Sequence, residues 1–196
     1  MHTSSHQLRD GGGRNQTSLN TMSPMSVADA LIKQLKLIPT GIGGYLALGA
    51  EGNSTLLRAA LPERFAGDRQ TYSSNYFLLK AGEVLQLHAL NQDEQWFFHQ
   101  GSAIRLHVFS DVGVYSAIDI GADLDQGQSF QGVAPGQHWF GAELLGPGYT
   151  LVSCSLAPAW DRRDSSLPDA AQQSELQARF PAQAELIDRL AAPPRV

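Results

Sequence analysis

Residues 82–101 read GEVLQLHALNQDEQWFFHQG and contain the densest group of chemically active side chains in the sequence. Two strand-like halves flank a polar turn at residues 91–93, which predicts a β-hairpin. His88 lies in the first half, and Glu94 and the aromatic run Trp96–Phe98 lie in the second. The stretch combines a candidate metal ligand, a candidate acid or base and a ring surface for a ligand. It therefore decides both the fold and the site.

Outside the hairpin, short apolar or alternating runs are broken by Gly, Pro, Asn and Asp through about residue 156. About ten short strands with regular turn signals predict an all-β sandwich or barrel. The 19 Gly and 10 Pro favour the same class, because many of them punctuate these runs. The predicted organisation is a disordered leader over 1–24, an N-terminal helix within 25–39, a β-barrel over 40–160, and C-terminal helices with a tail over 161–196 that pack on the barrel.

Composition excludes several classes of function. The formal net charge is −5 without a basic block, so nucleic acid and anionic membrane are poor candidate partners. The single cysteine, Cys154, excludes an internal disulfide and a cysteine-rich zinc site. No apolar run reaches the roughly 18–20 residues that span a bilayer, and the first residues lack the apolar centre of a signal peptide. The predicted location is therefore cytoplasmic.

The hairpin carries a recognisable spacing, Gly82-x5-His88-x-Leu90-x3-Glu94-x6-Gly101. It resembles the first signature of the cupin superfamily, G-x5-H-x-H-x3-4-E-x6-G, with leucine in place of the second histidine. Residues two apart in a strand share a face, so positions 88 and 90 both point into the predicted barrel. The resemblance implies a cupin-like β-barrel, which is a double-stranded β-helix or jelly roll, with peripheral N- and C-terminal helices.

A closer resemblance is to the cupin-5 group, a family of single-domain cupins without an assigned function, over about residues 38–190. Family members carry histidine and glutamate where this chain has Thr40 and Ile42, and His-Arg where it has His88-Ala89. The chain therefore resembles this family as a divergent member, in which several polar residues of the pocket have been lost. The resemblance is carried by Gly43-Gly44-Tyr45, Tyr76-Phe77-Leu78-Leu79, Ala81-Gly82-Glu83, His88, Asp93-Glu94, Trp96, Phe98-His99-x-Gly101, Leu124, Gly127, Pro135, Trp139, Gly148-Tyr149, Cys154 and Ala157-Pro158.

One hypothesis for the site is a metal-dependent oxygenase of the cupin type. Catalytic metal sites typically keep three protein ligands and one open position. His88 and Glu94 supply two, and His138 or His99 would have to supply the third. Phe140 stands where the second cupin signature has its histidine. The ligand count therefore favours a site without a metal, and no cofactor is predicted.

The favoured hypothesis is a small-molecule-binding cupin with metal-independent proton-transfer chemistry, as in an isomerase, epimerase or cyclase. His88 would be the base, because a histidine oriented by a carboxylate is a competent general base. Glu94 would orient it or act as the acid, and Tyr45 or Tyr76 would be the second proton donor. The arrangement resembles the metal-free sugar-nucleotide epimerases of the superfamily by analogy alone.

A third hypothesis is a non-catalytic binding protein for a hydrophobic ligand. It is motivated by the lost polar positions and by the aromatic side chains near the hairpin. Aromatic side chains in small barrels often fill the core instead. A homodimer is also predicted, with an edge strand near residues 45–60 pairing across the interface. The candidate ligand-binding residues are Trp96, Phe98, Trp139, Phe140, His138 and His99.

Overall fold

The structure is a computed structural model that describes residues 26–194. The predicted leader over 1–24 lies outside the described residues. The helices of the described part are α1 (Val27–Gln34), α2 (Ala170–Arg179) and α3 (Ala184–Ala191). Its strands are β1 (Ile38–Pro39), β2 (Tyr45–Glu51), β3 (Thr55–Leu56), β4 (Arg69–Gln70), β5 (Ser73–Lys80), β6 (Val84–Leu90), β7 (Glu94–Gly101), β8 (Ile104–Phe109), β9 (Tyr115–Ile120), β10 (Gln131–Ala134), β11 (Trp139–Leu144), β12 (Tyr149–Leu156) and β13 (Ser165–Ser166).

Two antiparallel sheets pack face to face around one apolar core. The larger sheet has the strand order β1-β2-β5-β12-β7-β10, and the second has the order β13-β6-β11-β8-β9. Trp96 and Leu156 from the first sheet meet Leu106 and Phe140 from the second in this core. Within residues 26–194 the strands form these separate ladders rather than one closed barrel. The β-hairpin predicted over residues 82–101 is wrong, because the turn after β6 carries the chain into the other sheet, where β7 pairs with β12 and β10. The predicted all-β fold of the jelly-roll type, with helices at both ends, is confirmed.

A β-bulge in β6 controls which side chains enter the space between the sheets. Leu85 pairs with Ala142 and His88 with Phe140, so β6 has one more residue than β11 over this interval. The extra residue places two consecutive side chains on the outer face. Gln86 donates a hydrogen bond to the carbonyl of Ala191 in α3 at 2.8 Å. Leu87 packs with the C-terminal helices, and His88 then returns to the inner face.

The helices pack on part of the outer face of each sheet. Leu176, Ile187 and Leu190 of α2 and α3 bury Leu87 and Phe109 on the outside of the five-stranded sheet. The helix α1 packs Ala28 against Leu78 and Leu151 on the outside of the six-stranded sheet. Its N-cap is Ser26, whose hydroxyl accepts a hydrogen bond from the Asp29 amide at 3.1 Å, in agreement with the sequence pattern. Other outer positions, such as Gln95 and His99 of the six-stranded sheet, stay exposed.

The edges of the sheets differ in how they are covered. The short strand β1 pairs with only Tyr45 and Leu46 of β2, and the rest of that edge has no partner strand in the described part of the chain. The predicted dimer pairing near residues 45–60 stays a prediction. No helix within residues 26–194 is long and apolar enough to cross a membrane.

A buried ion pair fixes the segment that leads into β13. Arg69 of β4 donates two hydrogen bonds to Asp164, from Nε at 2.8 Å and from Nη2 at 2.7 Å. Both side chains are almost completely buried, with 2% and 0% of their surface exposed. Asn91 in the turn between β6 and β7 donates a further hydrogen bond to Asp164 at 3.1 Å. The pair joins residues that are 95 positions apart, so it ties the β4 loop to the strand that borders the inner cavity.

Replacing Arg69 with methionine leaves the Asp164 carboxylate buried without its partner. We expect Arg69→Met to lower the free energy of unfolding by roughly 3 kcal/mol, because an uncompensated buried charge is costly. Adding Asp164→Leu removes that charge and should restore most of the loss. Urea unfolding followed by circular dichroism measures both effects.

The control is Arg163→Met, which breaks the exposed ion pair between Arg163 and Asp161. An exposed pair contributes little, so this change should have a much smaller effect. Equal losses for Arg69→Met and Arg163→Met would contradict the role of the buried pair.

Candidate functional site

A cavity of about 1000 Å³ lies between the two sheets. Its inner walls are formed by β5, β6, β7 and β12, and its outer part by β1, β2 and the segment from 160 to 167. The exposed lining residues come only from this outer part, which places the mouth between β2 and β13. The lining residues are Ile38, Pro39, Thr40, Ile42, Leu46, Leu48, Glu51, Ser73, Asn75, Phe77, Leu85, His88, Leu90, Glu94, Trp96, Cys154, Leu156, Trp160, Asp161, Arg162, Ser165, Ser166 and Leu167.

His88 is held in the cavity wall as a neutral imidazole. Its Nδ1–H donates to the carbonyl of Gln86 at 2.8 Å, which leaves Nε2 as the nitrogen with a free lone pair. Its ring lies against Phe140, with ring centroids 4.1 Å apart. Burial among apolar groups disfavours the imidazolium and lowers the pKa of His88 to about 4. The side chain is thus an oriented hydrogen-bond acceptor at neutral pH.

Glu94 is the second ionisable group in the cavity wall. Its Oε2 accepts a hydrogen bond from the indole Nε1–H of Trp96 at 3.0 Å. Burial raises the pKa of Glu94 to about 7, and the Trp96 hydrogen bond opposes the rise only in part. Both protonation states are therefore accessible near neutral pH. Because Oε2 is occupied by the indole, Oε1 is the oxygen available to a ligand.

His88 and Glu94 line the same cavity, but no hydrogen bond joins them. Each is already committed to a different partner, His88 to the bulge carbonyl and Glu94 to Trp96. The predicted histidine–carboxylate pair is therefore a pair of separate polar groups in a shared cavity. This differs from the expected geometry in which Glu94 orients His88.

The cavity does not present the ligand set of a cupin metal centre. Leu90 and Phe140 occupy the two positions where the family signatures have histidine. Within residues 26–194 no group of three or more His, Cys, Asp or Glu side chains is arranged to hold a metal ion. The alternative third ligand, His138, does not line the cavity. The residues present do not fit a bound metal, and we derive no step through one.

The two tyrosines predicted as proton donors lie outside the cavity, which corrects that expectation. Tyr45 packs with the α1 cluster on the outer face of the six-stranded sheet, and Lys80 lies 5.1 Å from its ring centroid. Tyr76 lies on the same outer face beside His99, with ring centroids 5.9 Å apart. The inner positions of these strands are Leu46 and Phe77 instead.

The predicted aromatic wall is divided between the two sides of the sheets. Trp96 lines the cavity, Phe140 is buried beside His88, and Phe98 packs against the inner core. Trp139 packs against the C-terminal helices on the outer face. Trp96, Phe98 and Phe140 thus face inwards and Trp139 faces outwards, because successive residues of a strand point to opposite faces.

The two other candidate histidines, His99 and His138, also lie outside the cavity. His99 points outwards, where its Nε2 is 2.5 Å from the hydroxyl of Ser153. His138 precedes β11 in a turn and donates from Nδ1 to the Gly136 carbonyl at 3.0 Å. The turn requires a positive φ of 66° at Gln137, so the regular strand phase that predicted an inward His138 does not apply there. Neither histidine lines the cavity with His88 and Glu94.

Asn75 is a cavity residue that was not predicted from the sequence, whereas the family resemblance already assigned Ile42 to a pocket position. Asn75 of β5 faces the cavity, and its buried Oδ1 has no hydrogen-bond partner among the described residues. Ile42 reaches the wall because Gly43 permits a tight turn, with a φ of 102° and its Cα packed against β6. A Cβ at Gly43 would lie 1.9 Å from the Val84 carbonyl oxygen, so no other residue fits there. The glycine pair at 43–44 is the signal that could have indicated this contact.

Cys154 is the one cysteine of the sequence and lies in the cavity wall on β12. Burial and the nearby Glu94 carboxylate raise the pKa of its thiol well above the ordinary value. The thiolate needed for nucleophilic attack is therefore disfavoured. Cys154 acts as a small apolar wall residue.

The fold and the inner cavity define a cupin. Residues 29–168 match the family model described as "Cupin superfamily (DUF985)", and the chain belongs to this family. No curated protein matches the chain.

Two solved structures resemble the chain over nearly their whole length. A hypothetical protein from Leishmania major is 29% identical, with 84% of this chain and 98% of that chain covered and a TM-score of 0.73. A protein from Shewanella oneidensis is 31% identical, with 85% and 98% covered and a TM-score of 0.72. The described fold is therefore shared with these two structures.

The buried carboxyl and imidazole predict opposite effects of pH on stability. The pKa of Glu94 is raised from 4.5 to about 7 on folding, so its contribution is present below pH 4.5 and is lost as the pH rises to 7. Glu94→Gln removes this dependence. Relative to the wild type, the variant should gain up to about 3 kcal/mol of unfolding free energy between pH 4.5 and about pH 8, at about 1.4 kcal/mol per pKa unit.

His88→Gln should show the opposite trend in the same urea titrations. The pKa of His88 is lowered from 6.5 to about 4 on folding, so its contribution is present above pH 6.5 and is lost as the pH falls to 4. This variant should therefore gain on the wild type in acid. Parallel pH profiles for the wild type and both variants would show that neither group is desolvated.

Proposed function

We propose that the protein binds a small, largely apolar organic molecule in the cavity between the sheets. The observation that carries this proposal is the cavity itself, which is about 1000 Å³ in volume. Its wall contains His88, which is neutral, and Glu94, whose pKa of about 7 makes the neutral form accessible. Ligand sites are usually concave and apolar, with a few polar groups that fix orientation. This cavity has that composition.

The apolar part of the wall selects the body of the ligand. Phe77, Leu85, Leu90 and Leu156 line it together with the ring of Trp96. A charged or strongly hydrated group would lose its water on entering this space without a compensating charge. Hydrocarbon or aromatic surface gains about 25 cal/mol per Å² removed from water. An apolar body is therefore favoured in the interior.

The polar groups select the functional group of the ligand. His88 Nε2 and Asn75 Oδ1 are acceptors without a donor among the described residues. Glu94, when protonated, adds a donor at Oε1. A hydroxyl or amine on the ligand would satisfy the acceptors, and a carbonyl would accept from Glu94. Orientation in the cavity would follow from these few bonds.

The neutral fluorescent dye N-phenyl-1-naphthylamine is a suitable probe, because it combines an aromatic body with one N–H donor. We expect one dye molecule to bind per chain, with a rise in its fluorescence. Leu46→Trp should weaken dye binding, because the larger side chain occupies part of the cavity from β2.

Gln95→Trp is the matched control, since Gln95 is exposed on the outer face of the same sheet. This variant should bind the dye as the wild type does. Weaker dye binding by both variants, or unchanged binding by both, would count against the cavity as the site.

A second candidate function is metal-independent proton transfer, as in an isomerase, epimerase or cyclase. The specific observation that favours it is the pKa of Glu94 at about 7 in an enclosed apolar site, because a group that exchanges protons near the working pH is an effective acid or base. His88 would then serve as a neutral hydrogen-bond acceptor, since its pKa of about 4 opposes the imidazolium. Glu94 replaces His88 as the expected base.

Deuterium incorporation tests this second function without a known substrate. The protein is incubated in D₂O with a metabolite extract, and mass spectrometry detects compounds that gain deuterium. Wild type should label at least one compound that Glu94→Gln does not label, because proton transfer requires the carboxyl group. Identical labelling by wild type and Glu94→Gln would contradict the proposed chemistry.

A further inference from the structure

We infer that the ligand carries one anionic group at one end, and that Arg162 binds this group at the mouth of the cavity. The inference rests on the proposed binding function and narrows the class of ligand. It predicts an amphipathic anion whose apolar body lies between the sheets and whose carboxylate, sulfonate or phosphate stays at the entrance.

Arg162 differs from the other arginines of the described chain. Residues 26–194 contain eight arginines, and seven of them donate side-chain hydrogen bonds to carboxylates or backbone carbonyls. Arg162 makes no such bond and no ion pair with any described residue. It is exposed and lines the cavity. Its guanidinium is therefore available to a ligand at the entrance.

The carboxylates next to Arg162 in sequence are committed to other partners. Asp161 accepts two hydrogen bonds from the Arg163 guanidinium, at 2.8 Å each, and this interaction holds the pKa of its carboxyl well below the usual range. Asp164 is buried with Arg69. The turn at residues 162–164 thus directs Arg163 and Asp164 towards the β4 loop and leaves Arg162 on the cavity side.

Glu51, at the end of β2, is the remaining charged residue in the outer part of the cavity lining. It is exposed and makes no ion pair with Arg162. A carboxylate on this part of the lining repels an anion, so an anionic group is directed towards the β13 side of the mouth. Replacing Glu51 with glutamine should therefore strengthen anion binding.

The position of Arg162 sets where the charge of the ligand lies. The interior offers no cation, because His88 is neutral and Glu94 is neutral or negative. An anion is thus costly inside and favoured only at the mouth. The planar guanidinium offers paired donors that match a carboxylate, sulfonate or phosphate.

Two dyes with the same ring system test this inference. The sulfonate 1-anilinonaphthalene-8-sulfonate adds one anionic group to the neutral N-phenyl-1-naphthylamine. We expect Arg162→Gln to weaken binding of the sulfonate roughly fivefold, as for a partly exposed charged hydrogen bond. Binding of the neutral dye should not change. Glu51→Gln should tighten binding of the sulfonate only.

Arg179→Gln is the charge-matched control, because Arg179 lies on α2 outside the five-stranded sheet. It should leave the affinity for both dyes unchanged. Circular dichroism establishes that all variants are folded. Equal weakening of sulfonate binding by Arg162→Gln and Arg179→Gln, or no weakening by either, would overturn the role of Arg162.

Displacement of the neutral dye identifies the anionic group. Decanoate and decyl phosphate are compared with decanol, which has the same chain length but no charge. At least one anion should displace the dye better than decanol in the wild type, and the advantage should disappear in Arg162→Gln. Decanol that competes as well as both anions would overturn the inference but leave the proposed binding function intact. Failure of the neutral dye to bind would overturn both.

Discussion

Desolvation of His88 and Glu94 is the constraint on which the account of this protein depends. Two apolar sheet faces exclude water from both groups, so each is stabilised in its uncharged form. Each also needs a partner that fits that form. The bulge in β6 supplies the Gln86 carbonyl for His88, and Trp96 supplies an indole N–H for Glu94. The cavity is therefore polar at two fixed points and apolar elsewhere.

The same bulge separates the two roles of β6. The extra residue turns Gln86 and Leu87 to the outer face, where they meet the C-terminal helices. Leu85, His88 and Leu90 remain on the inner face. A regular strand would keep strict alternation and send either Leu85 or His88 to the helix side. The bulge therefore lets β6 contact the C-terminal helices and also supply His88 to the cavity. The sequence of β6 does not reveal this irregularity.

The sequence was informative where the evidence is local and less so where long-range pairing decides. The spacing within residues 82–101 predicted two strands and the inward direction of His88, because alternation needs no distant partner. The predicted hairpin was wrong, because β6 pairs with β11 and β13 while β7 pairs with β12 and β10 in the other sheet. The sequence did not predict the outward direction of Tyr45 and Tyr76. The inner and outer positions of β2 and β5 are set by the pairing of these strands with each other and with β12. The ion pair of Arg69 with a residue 95 positions away was likewise beyond local patterns.

The most direct measurement is the titration of Glu94 itself. Carbon-13 NMR of protein labelled at the glutamate side-chain carboxyl follows each glutamate separately, and the signal absent from Glu94→Gln identifies this residue. The account predicts a midpoint near pH 7, because burial disfavours the carboxylate and the Trp96 hydrogen bond offsets this only in part. A midpoint at or below 4.5, the ordinary value for glutamate, would mean that water reaches the carboxyl and would contradict the account.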